Sequence, residues 1–184
     1  MLEALATSAN LDVPDLRPFH AEAGRVLASQ PGWLTVILAD LDGWQVLSAR
    51  LPFDRPPIRV IDTPSYEELL RTGRPVVGGI SPPSPRTGAR AIPLRVPVMR
   101  DGRLRFVLTA PLSAEGVERL LQGSGIPADW VAAVVDREGR IIARTRDAAA
   151  YVGQPASASA RTAIGTGVRS GSGTTSRTSV SSIP

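Results

Sequence analysis

The chain has 184 residues, enough for one full domain or one domain and part of a second, and 42% of them are hydrophobic, so a sizeable core can be buried. It has no cysteine, which removes disulfides and thiol catalysis, and no run of about 18 apolar residues, which removes a membrane-spanning helix within these boundaries. The net charge is +4 and every Lys/Arg position is arginine, but the arginines lie singly and only eight Phe, Trp and Tyr residues accompany them, so a nucleic-acid footprint is not expected.

The opening stretch, "MLEALATSAN", lacks the basic and apolar regions of a signal peptide and is compatible with a helix. Leu16, Phe19, Ala23, Val26 and Leu27 then recur at helical spacing, with Asp12 and Pro14 as a start signal and Pro31-Gly32 as a stop. The expectation is a long N-terminal helical segment over residues 1–32. His20 sits on it, and a structural role is expected rather than that of a phosphoacceptor.

Two β-rich runs, Leu34–Ala39 and Trp44–Ala49, are joined by Asp40-Leu41-Asp42-Gly43, where glycine suits a positive φ and the acids can accept from turn amides. The proline-rich "RLPFDRPPIRV" that follows reads as a stiff loop without regular structure. A short helix comes next, capped by Thr63, with Pro64 at its first position, Tyr66, Leu69 and Leu70 facing the core, and Gly73 as its stop.

Three further strands are expected. "PVVGGI" is short. "ARAIPLRVPVM" alternates Ile92, Leu94, Val96 and Val98 against Pro93, Arg95 and Pro97, and "RDGR" turns it into "RLRFVLTAPL". Pro93 and Pro97 each remove a ladder donor and so point to an edge position or a bulge. A helix from Ser113 carries Val117, Leu120 and Leu121 as its stripe.

After that helix the order of elements restarts. "VVDREGRIIARTR" at Val134–Arg146 repeats the layout of "ILADLDGWQVLSAR" at Ile37–Arg50, and each copy follows a tryptophan, Trp33 or Trp130. A loop and helix around 151–166 and one strand at "SGTTSRTSV" are all that the rest of the sequence offers. Few apolar side chains remain after about Pro155 to offset chain entropy, so loose packing is expected there. The glycine-rich "GTGVRSGSG" has neither a preceding strand nor the Lys of a phosphate loop.

The fold class is therefore α+β: a PAS-like antiparallel five-stranded module over residues 33–112, preceded by the helical segment and followed, over 113–184, by a connecting helix and an incomplete second module. "PGWLTVILADLDG", "TGRPVV", "IPLRVPVMRDGRLRFVLTAPLS" and "DWVAAVVDREGRIIARTRDAAAYVG", in that order, resemble a double Cache region, the extracytoplasmic sensing part of bacterial sensor histidine kinases. The resemblance implies a membrane-distal module at 33–112, a proximal one after it and a periplasmic setting in an inner-membrane receptor. It also implies a possible homodimer through the N-terminal helix and contact with the membrane only through segments outside this chain. A cytoplasmic PAS-like protein-interaction module without a small ligand is the alternative.

No nucleophile–base pair or metal cluster is readable, so neither enzymatic activity nor a cofactor is expected. Asp40, Asp42, Asp136 and Glu138 read as turn residues rather than as a catalytic pair or a calcium loop. In the resembled family the ligand lies between the sheet of the distal module and the segments that cover it, here "SARLPFDRPPIRVIDTPSYEELLRTG". Candidate ligand-binding residues are Arg50, Asp62, Tyr66 and Thr72 from that cover, with Arg95 and Thr109 from the strands. An arginine on an alternating strand suits a carboxylate, and Arg95 standing in solvent on an edge is the competing reading. The Tyr, Arg, Trp and late Asp with which some Cache receptors hold amino acids are not matched here, which argues against an amino-acid ligand and leaves a small organic anion, or no ligand, open.

Overall fold

The computed structural model describes residues 1–84, 88–127 and 129–158. The strand expected at "SGTTSRTSV" and the part of the last helix expected beyond residue 158 lie outside the described residues, as does the glycine-rich stretch. The described residues form two compact units, one ending at Ser113 and the other beginning at Ala114. No helix among them is long and apolar enough to cross a membrane.

The N-terminal segment is not one long helix. It consists of α1 (Leu2–Ala6), a 3-10 turn (Ala9–Leu11) and α2 (Arg17–Ala28). The break has local causes. Ser8 caps the 3-10 turn, its Oγ accepting from the Asn10 N–H at 3.2 Å, and Pro14 forbids helix continuing into it from Val13. Arg100 fastens the break to the sheet: it donates to the carbonyls of Ala6 (3.2 Å) and Ser8 (2.9 Å) and pairs with Asp12. Helix α2 restarts with Pro18 in its first turn, where a missing N–H costs nothing.

The sheet of the first unit has six strands rather than five. They are β1 (Ile37–Ala39), β2 (Trp44–Ser48), β3 (Ile58–Arg59), β4 (Val76–Val77), β5 (Ala91–Arg100) and β6 (Arg103–Ser113), in the order β3-β2-β1-β6-β5-β4 and antiparallel throughout. The extra strand lies in the segment expected to be irregular. Pro56 and Pro57 stop just before it, which leaves Ile58 and Arg59 able to pair with Gln45 and Trp44. The Gln45 amide also donates to the Arg59 carbonyl at 3.2 Å. Helix α3 (Thr63–Thr72) has Asp62 at its N-cap position, one residue before the expected Thr63 and without a side-chain capping bond, and ends at Gly73 with φ 62°.

Strand β5 is not an edge strand; it pairs with β6 along its length and with β4 at Leu94 and Arg95. It carries the expected bulge, between Val98 and Met99. Pro93 is tolerated because it faces Pro111 in a pair that needs no donor from either. The Pro93 carbonyl accepts from Gly78 N–H (2.9 Å) and the Pro111 carbonyl from Leu34 N–H (2.8 Å), so both backbones turn away from each other. The β5–β6 turn places Asp101 at φ 50° and Gly102 at φ 72°, the two positive values that a two-residue hairpin needs.

The pleat gives the sheet two unlike faces. Leu38, Leu47, Val96, Val98, Leu108 and Ala110 pack against Leu2, Leu5, Phe19 and Ala23 of α1 and α2. On the opposite face Ala39 and Val107 pack against Tyr66 and Leu69 of α3 and Val76 of β4. Each fully buried Leu or Phe contributes roughly 1.5–3 kcal/mol relative to exposure, so the first cluster dominates the stability of this unit.

The second unit contains α4 (Ala114–Gln122), β7 (Ala133–Val135) paired antiparallel with β8 (Ile141–Arg144), and α5 (Ala148–Tyr151). Leu121 of α4 is buried, but Leu120, expected in the same stripe, is 77% exposed. At a helical advance of 100° per residue the two cannot share one narrow stripe. Trp33 and Trp130 also part company: the first is buried and bridges to Leu112, the second is half exposed.

Candidate functional site

The alternation along β5 decides where its one central charge goes. Val96 and Val98 point to α1 and α2, so Arg95 points to the α3 face, in register with Thr109 of β6 and Val76 of β4. Arg95 is 4% exposed and is held by a fan of acceptors. Its Nε donates to Ser65 Oγ at 2.8 Å, Nη1 to Thr109 Oγ1 at 2.9 Å, and Nη2 to the Asp62 carbonyl at 2.9 Å and to Asp62 Oδ2 at 3.3 Å. Ser65 in turn donates to Asp62 Oδ2. The solvated-edge reading of Arg95 is thereby corrected: the strand has neighbours on both sides and its arginine is internal.

Helix α3 supplies the other half. Pro64 sets the backbone of its first turn, and Ser65, Tyr66 and Leu69 fall on the buried face at helical spacing. The Tyr66 hydroxyl donates to the Asp40 carbonyl in the first hairpin, and the Arg95 guanidinium lies 5.6 Å from the centre of the Tyr66 ring. Burial pulls the guanidinium below its ordinary pKa, and the charge and hydrogen bond of Asp62 oppose that pull. Burial likewise pushes the Tyr66 phenol up, and the charge of Asp40 adds to the rise.

Beside this network the sheet opens into a cleft of about 420 Å³. Its wall is largely apolar, with Ile37, Leu51, Ile58, Val60, Ile61 and Pro93 among the lining residues. Its polar groups are few and specific, as in small-molecule sites. Arg50, Asp62, Arg95 and Thr109 line it, as the sequence suggested. Tyr66 does not; it is 4% exposed and stands beside Arg95 without lining the cleft. Thr72 lies at the far end of α3, where its hydroxyl donates to the Glu68 carbonyl at 2.8 Å, and the structure keeps it out of the cleft.

Six polar residues escaped the sequence reading, two of them, Ser81 and Ser84, lining the cleft from the segment between β4 and β5. Ser65 is three residues after Asp62, on the same helix face, and that spacing was the available signal. Thr35, Gln45 and Ser48 reach the cleft from the first hairpin, where the hydroxyls of Thr35 and Ser48 lie 3.0 Å apart. A register shift between Leu38 and Ala39 brings Ser48 opposite Ile37 and Gln45 opposite Ala39 on the cleft face, and nothing in the sequence announces that shift.

The remaining candidates have structural partners. His20 Nε2 lies 2.9 Å from the Leu51 carbonyl and 3.2 Å from that of Ser48; both can only accept, so Nε2 carries the proton. Asp40 Oδ1 accepts the N–H groups of Asp42 and Trp44, and Asp136 Oδ1 those of Glu138 and Arg140. Among the described residues no cluster of three His, Cys, Asp or Glu is placed to hold a metal ion.

No protein-family model matches the chain, and no curated protein matches it. Solved structures do. The extracellular ligand-binding receptor of Desulfohalobium retbaense superposes with a TM-score of 0.69 at 18% identity, over 89% of this chain and 29% of that one. The extracellular domain of rpHK1S-Z16, assigned as a histidine kinase, gives 0.66 at 14% identity, over 83% of this chain and 62% of its own. The ligand-binding domain of the Pseudomonas fluorescens chemoreceptor CtaA, in complex with L-isoleucine, gives 0.65 at 15%, over 84% and 61%. This chain shares the fold of these extracellular ligand-binding domains. It spans between about three tenths and about three fifths of the length of those chains.

Proposed function

We propose that this chain is the ligand-sensing, extracytoplasmic part of a bacterial signal-transduction receptor of the sensor histidine kinase type, and that it is not catalytic by itself. The observation that carries the reading is the cleft on the α3 face of a sensor-type sheet, apolar along its walls and floored by a buried arginine. The ligand is a small molecule with an apolar body and a carboxylate or similar anionic group. Arg50 at the exposed rim and Arg95 with Thr109 at the base supply positive charge and donors.

Strand β5 offers a path for the signal. Arg95 on one of its faces belongs to the cleft, while Val96 and Val98 on the other pack against the N-terminal helices. A ligand that prefers one setting of β5 shifts the packing of α1 and α2 in proportion to its differential affinity. Self-association through α2 belongs to the same proposal, although Phe19 and Ala23 are already buried in the unit and only its outer face is available. Sedimentation that finds a monomer at high concentration counts against it.

The test is a thermal-shift screen of carboxylates, amino acids and purines, repeated on Arg50→Ala. A true ligand at one hundred to one thousand times its Kd stabilises the fold by about 2.7–4.1 kcal/mol. That stabilisation should shrink in Arg50→Ala. A screen in which no compound raises the melting temperature, or in which every hit is indifferent to Arg50, would sink the reading.

A further inference from the structure

Asp62 is the N-cap of α3, yet its carboxylate caps nothing; no side-chain bond runs from it to the backbone N–H groups of the helix. An aspartate at this position ordinarily accepts from the second or third helical N–H. Here the carboxylate is turned aside, where its Oδ2 accepts from Arg95 Nη2 and from Ser65 Oγ. It also lines the cleft, and its side chain keeps 17% of its exposure while that of Arg95 keeps 4%. The chain therefore already holds one carboxylate on the buried arginine, at the boundary between that arginine and the open space.

We propose that Asp62 is a resident competitor: it fills the carboxylate position on Arg95 when the cleft is empty, and the carboxylate of a ligand takes that position by displacing it. The exchange is chemically balanced, one carboxylate for another on the same guanidinium, so the buried charge of Arg95 is never left alone. The displaced Asp62 is not stranded either. The first turn of α3 offers the Ser65 N–H, the usual partner of an N-cap carboxylate, and the cleft side is open to water. The Asp62 carbonyl, the Ser65 hydroxyl and Thr109 keep the guanidinium oriented throughout. This inference rests on the sensor reading of the cleft. It deepens that reading by naming the ligand class, carboxylates, and by assigning Asp62 to set their affinity.

The test uses acetate as the probe and needs no knowledge of the natural ligand. Asp62→Gly removes the resident carboxylate and should melt earlier than the unaltered chain. Acetate should then restore it in a saturable way, raising Tm by roughly 5 °C or more against sodium chloride of equal ionic strength. The unaltered chain and the Asp62→Gly/Arg95→Met double variant should show no such rise. An Asp62→Gly chain that responds to acetate no more than to chloride overturns the proposal, and so does a specific response to ethylammonium in place of acetate. Should Asp62→Gly not fold alone, recovery of its circular dichroism in acetate is the same readout. Asp62→Asn supplies a second: acetate should shift the Arg95 Nε–H resonance in that variant, and an unmoved resonance overturns the proposal. A metabolite screen without hits sinks the sensor reading whatever acetate does. A failure of acetate alone, with metabolites still stabilising the chain, sinks only the role of Asp62.

Discussion

Asp136 repeats Asp40 bond for bond. In each hairpin the first turn aspartate accepts, through Oδ1, the N–H two residues on (Asp42 at 3.0 Å, Glu138 at 3.1 Å) and the N–H four residues on (Trp44 and Arg140, both at 2.8 Å). The glycine that completes the turn has φ 86° at Gly43 and φ 75° at Gly139, and each hairpin has a register shift just before its aspartate. Asp40 adds one duty, since its carbonyl accepts from Tyr66. Asp40→Ala should destabilise the first unit by about 1–3 kcal/mol, because two turn donors lose their acceptor. Asp40→Asn, which keeps an oxygen at the same place, should lose less than half of that. Urea unfolding followed by tryptophan fluorescence measures both.

The Arg95–Asp62 pair should behave as a coupled unit. Arg95→Met takes the donor from the buried hydroxyls of Ser65 and Thr109 and the cation from Asp62, a change that costs on the order of 1–3 kcal/mol. Adding Asp62→Asn to Arg95→Met costs less than Asp62→Asn alone, because the cation that it would leave unpaired is already gone. A coupling energy of about 0.5–3 kcal/mol is expected from the complete cycle. Simple additivity of the two single variants would show that the pair does not interact in solution.

Alkaline pH should weaken the first unit through Tyr66. Its folded-state pKa is raised, chiefly by burial and then by the charge of Asp40, so the folded form holds its proton more tightly than the unfolded form does. This contribution is intact below the ordinary tyrosine value near 10 and falls as pH rises from there through the folded pKa. Tyr66→Phe cannot ionise and lacks the bond to Asp40. It should be less stable than the native chain at neutral pH and should lose this part of the alkaline decline. Melting temperatures of both chains from neutral pH to about pH 11 test the sign.

How much of this was legible follows from which interactions are local. Both hairpins could be read because their turn chemistry lies in four consecutive residues, and β5 because its apolar residues alternate without interruption. The long N-terminal helix could not be judged well. Its apolar stripe is real, but the break depends on Arg100, some ninety residues away, reaching the carbonyls of Ala6 and Ser8. Strand β3 escaped because two residues carry no periodicity, and its pairing is decided by Gln45 and Trp44. Within the site, residue type and face pointed to Arg95, Asp62 and Thr109. Thr72 was included as a polar residue of the covering segment, yet ten residues of α3 separate it from Asp62 by about 15 Å. Ser65, Gln45 and Ser48 needed the three-dimensional register.

Two glycines make opposite predictions under the same substitution. Gly78 leaves β4 across the cleft-side network, and a Cβ built there would lie 2.6 Å from Pro93 Cγ, 2.8 Å from Ser65 Oγ and 2.9 Å from Ser65 Cβ. None of these can retreat freely: Pro93 is fixed in β5 by the Gly78–Pro93 backbone bond, and the Ser65 hydroxyl both donates to Asp62 and accepts from Arg95. Gly78→Ala should therefore cost about 1–3 kcal/mol by overpacking and should also weaken any ligand held through Arg95. Gly24 lies inside α2 with nothing within 4 Å of its would-be Cβ. Gly24→Ala should stabilise the chain by roughly 0.5–1 kcal/mol through helix propensity and the lower entropy of the unfolded state. Thermal melts of the two variants should move to opposite sides of the native curve. A stabilised Gly78→Ala would mean that the β4–β5 approach over Ser65 is looser than these distances state.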